Sequence, residues 1–192
     1  DKIELPGAKA ERWQKDYGWS ADQADLLSTY SGSAAYSDEL LTIIHQANPE
    51  NYQEIARLAG NWLTSEVLKY CSLKDLSSNP ITPRHLADLS MALANKTITS
   101  TNGQVVLQKI VENNKLSVAE IVDQLDLKQV DDSQEIIQLA REIIAQYPEQ
   151  VAAYRAGKLA LLQFFIGQIM RRSKGKANPE LAREILEKEL KN

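Results

Sequence analysis

The sequence predicts an all-α protein. Apolar residues recur at intervals of three and four over nearly the whole of its 192 residues, which is the spacing of one face of an α-helix. No segment shows a convincing run of the apolar–polar alternation that is typical of a strand. A polar residue followed by proline, a helix-start signal, occurs at Asn48-Pro49, Thr82-Pro83 and Asn178-Pro179.

The first quarter of the chain is predicted to form three short helices. Residues 8–17 and 21–30 are separated by Gly18, and residues 33–47 follow. Three aromatic residues cluster near the first turn, namely Trp13, Tyr17 and Trp19. Core packing is favoured for them over a stacking platform or a partner contact.

A longer helix is predicted next, with Asn48 as its cap, Pro49 at its first position and an end near Cys71. Its apolar stripe is expected to lie in the core and comprises Tyr52, Ile55, Ala56, Ala59, Trp62, Leu63, Val67 and Tyr70.

The remaining helices are predicted from caps and periodicity. They cover residues 83–95, residues 103–113, a short stretch after the Ser117 cap, residues 134–147, a helix started by Pro148, residues 158–170, and a last helix from Pro179. The helix at 158–170 is apolar almost all round, so we expect it to be central in its domain. Gly167 would let another helix approach it closely.

A domain boundary is predicted near residues 126–132, where several capping oxygens separate two apolar units. We therefore assign residues 1–126 to a helical domain and residues 127–192 to a smaller helical tail. The linker at 126–133 is expected to act as a hinge.

Composition limits the class of protein. The single cysteine, Cys71, excludes an intrachain disulfide and is compatible with a reducing compartment. The longest strongly apolar stretch, residues 159–170, is shorter than the roughly 20 residues that span a bilayer, so no membrane partner is expected. The chain starts without Met or a signal-peptide pattern, and we interpret it as a piece of a longer protein.

Catalytic chemistry is not indicated by any motif. The sequence has no phosphate-cradling glycine-rich loop. His45 and His85 lack a second His or Cys at metal-ligand spacing, and Cys71 has no neighbouring catalytic pattern. Acidic residues alternate with Lys and Arg on polar helix faces, which is typical of solvated surface. We therefore predict no catalytic, cofactor-binding or metal-binding residue in this chain.

One basic window stands out. Residues 150–179 contain no carboxylate and carry six cations, which are Arg155, Lys158, Arg171, Arg172, Lys174 and Lys176. The whole chain has a net charge of −4, so the residues outside the window carry −10 against +6 within it. A positive loop that leads into the helix start at Asn178 suits a phosphate-rich partner. The alternative is a solvated turn, in which the cations favour a helix C-terminus and Gly175 ends the helix.

Three blocks of the tail resemble a known signature. They are Gly157-Lys158, then Phe165-Ile166-Gly167-Gln168-Ile169-Met170, then Lys174-Gly175-Lys176-Ala177-Asn178-Pro179. They resemble the tail of the B subunits of tRNA-dependent amidotransferases (GatB), and the module is also similar to the stand-alone bacterial YqeY family. Glu4-Leu5-Pro6 and Asn61-Trp62 agree with the upstream helical domain of GatB, so the resemblance covers essentially the whole chain.

The chain also departs from this family. Ser100-Thr101 stands where a Gly-Lys pair is usual, Gln104 replaces a Lys, Asp126 replaces a Gly, and Ser37 replaces an aromatic residue. No RNA contact is therefore carried over to residues 100–104.

The resemblance implies a function as well as a fold of the GatB/YqeY type. In the family, an N-terminal cradle domain of the B subunit uses ATP and Mg²⁺ to activate Glu-tRNA(Gln) or Asp-tRNA(Asn). The A subunit supplies ammonia from glutamine, and the full-length protein is thus part of an ATP-dependent carbon–nitrogen ligase. This chain lacks the cradle.

The resemblance therefore implies a non-catalytic, cytoplasmic chain that binds tRNA(Gln) or tRNA(Asn) and acts with the A and C subunits. The residues expected to bind tRNA are Lys158, Arg171, Arg172, Lys174, Gly175, Lys176 and Asn178. Two alternatives remain, which are a YqeY-like protein-interaction module without tRNA binding and an enzyme with an unrecognised site.

Overall fold

The computed structural model of the chain describes residues 4–191, and over that range it contains helices and no strand. The predicted all-α class is confirmed. The helices are α1 (Pro6–Tyr17), α2 (Ala21–Ser28), α3 (Ser31–Ala47), α4 (Tyr52–Ser65), α5 (Pro83–Ala94), α6 (Ser100–Glu112), α7 (Val118–Gln124), α8 (Ser133–Gln146), α9 (Pro148–Arg155), α10 (Leu161–Arg172) and α11 (Pro179–Glu189). Two 3₁₀ segments, Val67–Lys69 and Leu73–Ser78, follow α4.

Most predicted caps form as expected. The Thr82 hydroxyl accepts a hydrogen bond from His85 N (3.2 Å), and His85 Nδ1 accepts one from Thr82 N (3.2 Å). Ser117 caps α7 in the same reciprocal way. Pro148 and Pro179 occupy the first turns of α9 and α11. Each of these signals is local, so the sequence alone specifies it.

The start predicted at Asn48 is wrong. Asn48 ends α3, because its backbone N–H donates to Ile44 O (3.0 Å). Its side-chain amide donates to Met91 Sδ (2.8 Å), and the residue that precedes α4 is Asn51. Pro49 lies in a turn, and α4 begins only at Tyr52.

The far end of the predicted long helix is also wrong. α4 ends at Ser65, and the chain continues through the two 3₁₀ segments. Trp62 is buried as predicted, whereas Tyr70 lies beyond the helix and is 45% exposed. The apolar period continues through the tighter turns, which is why the sequence reads as one helix.

The chain divides into two compact units. The first runs to Lys96 and resumes over Gly103–Leu125, and the second comprises Thr97–Asn102 and the described residues from Asp126 onward. Residues 97–102 were predicted to belong to the first domain. The division into a helical domain of residues 1–126 and a tail domain of residues 127–192 stays a prediction.

Aromatic side chains fill part of the first unit's core. Trp13 and Trp19 are buried and meet edge to face, with ring centroids 5.4 Å apart. Trp19 Nε1 donates to Ala56 O (2.7 Å). A Cβ at Gly60 would lie 2.7 Å from that nitrogen, so glycine is needed there for α4 to approach the indole. Core packing was the favoured interpretation for these two tryptophans.

The second unit has its own core, formed by α8, α10 and α11. The buried residues of α8 lie at intervals of three and four, as one helix face requires, and comprise Ile136, Ala140 and Ile143. Phe165 and Ile169 of α10 are fully buried against this set. Burying a side chain of this size contributes about 1.5–3 kcal/mol, so this packing fixes which face of α10 points inward.

The linker, residues 126–133, is hydrogen-bonded to two other segments of the second unit. Leu127 is buried, Gln129 N donates to Thr97 O (2.7 Å), and Val130 N donates to Lys176 O (2.6 Å). These bonds hold the backbone of Gln129 and Val130, and the hinge expected at residues 126–133 stays a prediction.

Candidate nucleic-acid interface

Helix α10 presents one face to the core and the opposite face to solvent. The inward residues are Leu162, Phe165, Ile166 and Ile169. The outward residues are Ala160, just before the helix, and Gln163, Gly167 and Arg171. Spacings of three and four place these four residues on one side, and we refer to them as the α10 outer face.

The helix was expected to be central in its domain, but its outer face is not covered by neighbouring helices. Gly167 is exposed, and a Cβ built on it would meet nothing within 4 Å. No described helix therefore makes the close approach that Gly167 would allow. An exposed glycine inside a helix costs about 0.5–1 kcal/mol relative to alanine, and packing within the unit does not explain it.

The turn before α10 extends the exposed surface. Residues 156–160 are all exposed, and Gly157 adopts a left-handed backbone with φ of 105°. Lys158 makes no side-chain hydrogen bond or ion pair with any described residue. Leu159 is 66% exposed. This turn therefore offers an uncompensated cation beside an exposed apolar side chain.

The turn after α10 is a Schellman motif. Gly175 N donates to Met170 O (2.7 Å) and Lys174 N to Arg171 O (3.3 Å), which is the bond pair that defines this helix end. The left-handed position, usually glycine, is occupied by Lys174 with φ of 53°. That conformation costs about 1–2 kcal/mol for a residue with a Cβ.

Arg171 and Lys174 are exposed cations at this end of α10. Neither side chain makes a hydrogen bond or ion pair with another residue in the described part of the chain. Lys158 lies at the opposite end of the helix, which is about 18 Å long. The structure therefore separates the predicted basic residues into two groups linked by the α10 outer face.

Two other predicted cations are already paired. Arg172 Nη1 lies 3.3 Å from Glu142 Oε2, and the same guanidinium donates to Gln146 Oε1. Lys176 Nζ lies 2.8 Å from Asp126 Oδ2, and this hydrogen bond lowers the pKa of the Asp126 carboxyl. A phosphate would have to compete with these carboxylates.

Asn178 has a structural role that accounts for its presence. Asn178 Oδ1 accepts from Glu180 N (3.0 Å) and Leu181 N (3.2 Å), capping α11, and its amide donates to Asp131 (2.9 Å). Its expected contact with RNA stays a prediction.

The structure adds two residues that the motifs did not single out. The Thr99 hydroxyl donates to the carbonyl of Gly175, which lies 76 positions along the chain. Asn102 lies against Gly175, since a Cβ built on Gly175 would lie 2.7 Å from Asn102 Oδ1. The only sequence signal near them was the departure from the family at Ser100-Thr101.

Charged residues in the first unit form a closed network beside a groove of about 610 Å³. Arg12 binds Glu4 through two nitrogens (3.0 and 2.7 Å) and Asp38 through one (2.9 Å). Asp38 also accepts from Trp13 Nε1 (2.9 Å) and from Lys9. Burial raises the pKa of Asp38, but the hydrogen bonds from Lys9, Arg12 and Trp13 outweigh it and lower that pKa. Both carboxylates are held ionised and paired, which does not suit a general acid or base.

The histidines and the cysteine have local partners. His45 stacks on Tyr52 with ring centroids 4.1 Å apart, and His85 takes part in the α5 cap. Cys71 Sγ accepts from Asn79 Nδ2 (2.9 Å), and burial raises the pKa of the thiol. Within residues 4–191 no three His, Cys, Asp or Glu side chains are grouped so that they could hold a metal ion. Each helix in that range is too short or too polar to cross a bilayer.

Comparison with known proteins identifies sequence relatives that share a name. The B subunit of the aspartyl/glutamyl-tRNA(Asn/Gln) amidotransferase of Dichelobacter nodosus is 34% identical over 185 residues, which cover 95% of this chain and 37% of the relative. The B subunits of the same enzyme from Prochlorococcus marinus (strain MIT 9312) and Chlorobium chlorochromatii are 33% and 35% identical, each over 97% of this chain. They are covered to 36% and 38%, so the chain spans just over a third of the length of these curated relatives.

A family model agrees with these relatives. The model described as the GatB domain matches residues 44–190, which include all of α4 to α11. The chain therefore belongs to the GatB domain family that the tail signature indicated.

Proposed function

We propose that this chain is the tRNA-binding region of an amidotransferase B subunit. Its relatives carry the name of a tRNA-dependent enzyme, and the described residues of this chain offer no grouped metal ligands. The activation of misacylated tRNA, with its ATP and Mg²⁺, is proposed for the part of the longer protein that this chain does not include. The A and C subunits are the proposed protein partners.

The observation that carries the proposal is the distribution of unpaired charge around α10. Lys158, Arg171 and Lys174 are exposed at the two ends of the helix, and residues 150–179 contain no carboxylate. Phosphates gain affinity from such cations through the release of counterions. Gly167 leaves the middle of the outer face low enough for a sugar–phosphate backbone to approach.

This binding mode suits an enzyme that must move an aminoacyl end between two reaction sites. A grip on the body of the tRNA raises the effective concentration of the acceptor end without covering it. Structured RNA is recognised largely through shape, phosphates and 2′-hydroxyl groups. A surface of separated cations is compatible with that mode of recognition.

The alternative, a protein-interaction module, is favoured by a different observation. Leu159 is exposed, and the open Gly167 would accept a close-packed helix. Such a partner would bind chiefly by apolar contact, and its affinity would depend weakly on salt.

A filter-binding titration of the 192-residue chain with tRNA(Gln), tRNA(Asn) and an unrelated tRNA tests the proposal. We expect similar affinity for all three, because phosphate contacts position more than they specify. The logarithm of affinity should fall against the logarithm of salt with a slope of about −2 to −3 for three contacts. No binding at low salt, or a slope near zero, would sink the proposal in favour of the protein-interaction module.

A further inference from the structure

The turn after α10 is held from outside by residues distant in sequence. We infer that Thr99 and Asn102 are positioning residues that fix this turn so that Lys174 presents its ammonium group to RNA phosphate. The inference rests on the proposed function, and it explains how the contact between Lys174 and RNA would be positioned.

The Thr99 hydroxyl connects the turn after α10 to the start of α6. It donates to Gly175 O and accepts from Asn102 N (3.2 Å) at the start of α6. Thr99 is 3% exposed and Asn102 is 2% exposed, so water does not replace these bonds. Asn102 Nδ2 also donates to Leu127 O (3.3 Å). Gly175 is thereby fixed against the first turn of a helix.

The residues that follow Gly175 are fixed by the linker. Val130 N donates to Lys176 O (2.6 Å), and Asn178 N donates to Val130 O (3.1 Å). The Schellman bonds hold the turn from the other side. Lys174 is therefore the residue of this turn whose backbone is constrained on both sides while its side chain stays in solvent.

The backbone of Lys174 sets it apart. Among the described residues, the non-glycine residues with positive φ are Lys96, Asp126 and Lys174. Asp126 is paired with Lys176, and Lys96 also has an interaction partner. Lys174 alone of these three makes no side-chain hydrogen bond or ion pair, although its charge helps to lower the pKa of Asp126. Backbone strain that persists at an exposed charged residue is characteristic of a functional position.

A double-mutant cycle tests the inference on the 192-residue chain, with tRNA(Gln) as the probe. Thr99→Val removes the hydroxyl with little change in shape, Thr99→Ser keeps it, and Lys174→Gln removes the cation. We expect Thr99→Val and Lys174→Gln each to weaken binding roughly three- to tenfold, the value of about one charged contact. In the Lys174→Gln background, Thr99→Val should cause no further loss, because both changes remove the same contact. Thr99→Ser should bind as wild type.

Thr99→Val also removes the hydroxyl that accepts from Asn102 N at the start of α6. Ser117→Ala is the matched control for this loss, because Ser117 caps α7 in the first unit. It should leave tRNA affinity unchanged. Wild-type binding by Thr99→Val, or an equal loss in both Lys174 backgrounds, overturns the inference while the proposed function stands. If Thr99→Val loses helicity, Asn102→Ala takes its place in the same cycle with the same criteria. If the wild-type chain itself binds no tRNA, the proposed function and this inference both fall.

Discussion

The charged network of the first unit and the α10 outer face of the second use cations in opposite ways. In the first unit, Lys9 and Arg12 are bound by Glu4 and Asp38, and Trp13 donates to the same Asp38. At the ends of α10, the exposed side chains of Lys158, Arg171 and Lys174 make no hydrogen bond or ion pair with a described residue. The network stabilises a fold, whereas the outer face leaves charge available to a ligand. A count of basic residues does not distinguish these two cases, but the pairing of each cation does.

The same contrast occurs within the RRSKGK segment. Arg171 and Lys174 are free, while Arg172 and Lys176 are paired with carboxylates. A paired cation must lose its carboxylate before it gains a phosphate, so its net contribution to binding is smaller. Successive cations of one short segment are thus expected to differ in function.

The largest expected effect is on tRNA binding. Replacing Lys158, Arg171 and Lys174 together by Gln should weaken tRNA binding about a hundredfold, at roughly 1 kcal/mol for each lost contact. Filter binding at several salt concentrations measures this loss and the smaller salt slope that accompanies it. Helicity should not change, because none of the three side chains packs in the core.

The matched control is Arg172→Gln with Lys176→Gln, which removes two cations from the same segment. We expect it to retain most of the affinity. Equal losses per charge in the two variants would show that net charge, and not pairing, decides binding.

The next effect is on the stability of the first unit. Asp38→Ala removes the acceptor of Lys9, Arg12 and Trp13, and should lower the free energy of unfolding by about 2–3 kcal/mol. The three tryptophans of the chain, Trp13, Trp19 and Trp62, all lie in this unit, so urea unfolding followed by tryptophan fluorescence reports on it. Asp38→Asn, which keeps one acceptor oxygen, should cost less. Wild-type stability of Asp38→Ala would contradict a structural role for the network.

A smaller effect is expected from acid. The hydrogen bond from Arg12 lowers the pKa of Glu4, and hydrogen bonds prevail over burial to lower that of Asp38. Their stabilisation is therefore complete above the unfolded pKa values of about 3.9–4.3 and is lost as pH falls through the folded values. The urea midpoint of tryptophan fluorescence should fall on acidification below about pH 5, and less so in Asp38→Asn. If Asp38→Asn shows the same acid dependence as wild type, titration of Asp38 is not its cause.

The smallest effect concerns Gly167. Gly167→Ala should stabilise α10 by about 0.5–1 kcal/mol, because the added methyl group meets no neighbour and alanine favours a helix. If a sugar–phosphate backbone approaches this point, the same change should weaken tRNA binding a few-fold. Thermal unfolding followed by circular dichroism measures the stability, and filter binding measures the tRNA affinity. Gln163→Ala is the control for another substitution to alanine on the same face. Tighter tRNA binding by Gly167→Ala would exclude a close approach of the sugar–phosphate backbone to this residue.

Much of the fold followed from signals within a few residues. The all-α class, the Thr82 and Ser117 caps and the start of α11 at Pro179 were all predicted correctly. The error at Asn48 arose because this residue ends α3 and begins a turn, with its backbone N–H donating to Ile44 O and its carbonyl accepting from Asn51 N, while its amide contacts Met91, 43 positions away. Local propensity cannot register a competing partner at that distance.

The candidate site likewise combines features that the sequence predicts with features that only the folded chain shows. From the sequence it could be predicted that residues 150–179 are basic and free of carboxylates, and that a helix ends near Gly175. The pairing of Arg172 and Lys176, the open position of Gly167 and the bond from Thr99 to Gly175 became visible only in the folded chain. Periodicity and caps act over a turn of helix, whereas the availability of a charge depends on what the folded chain places beside it.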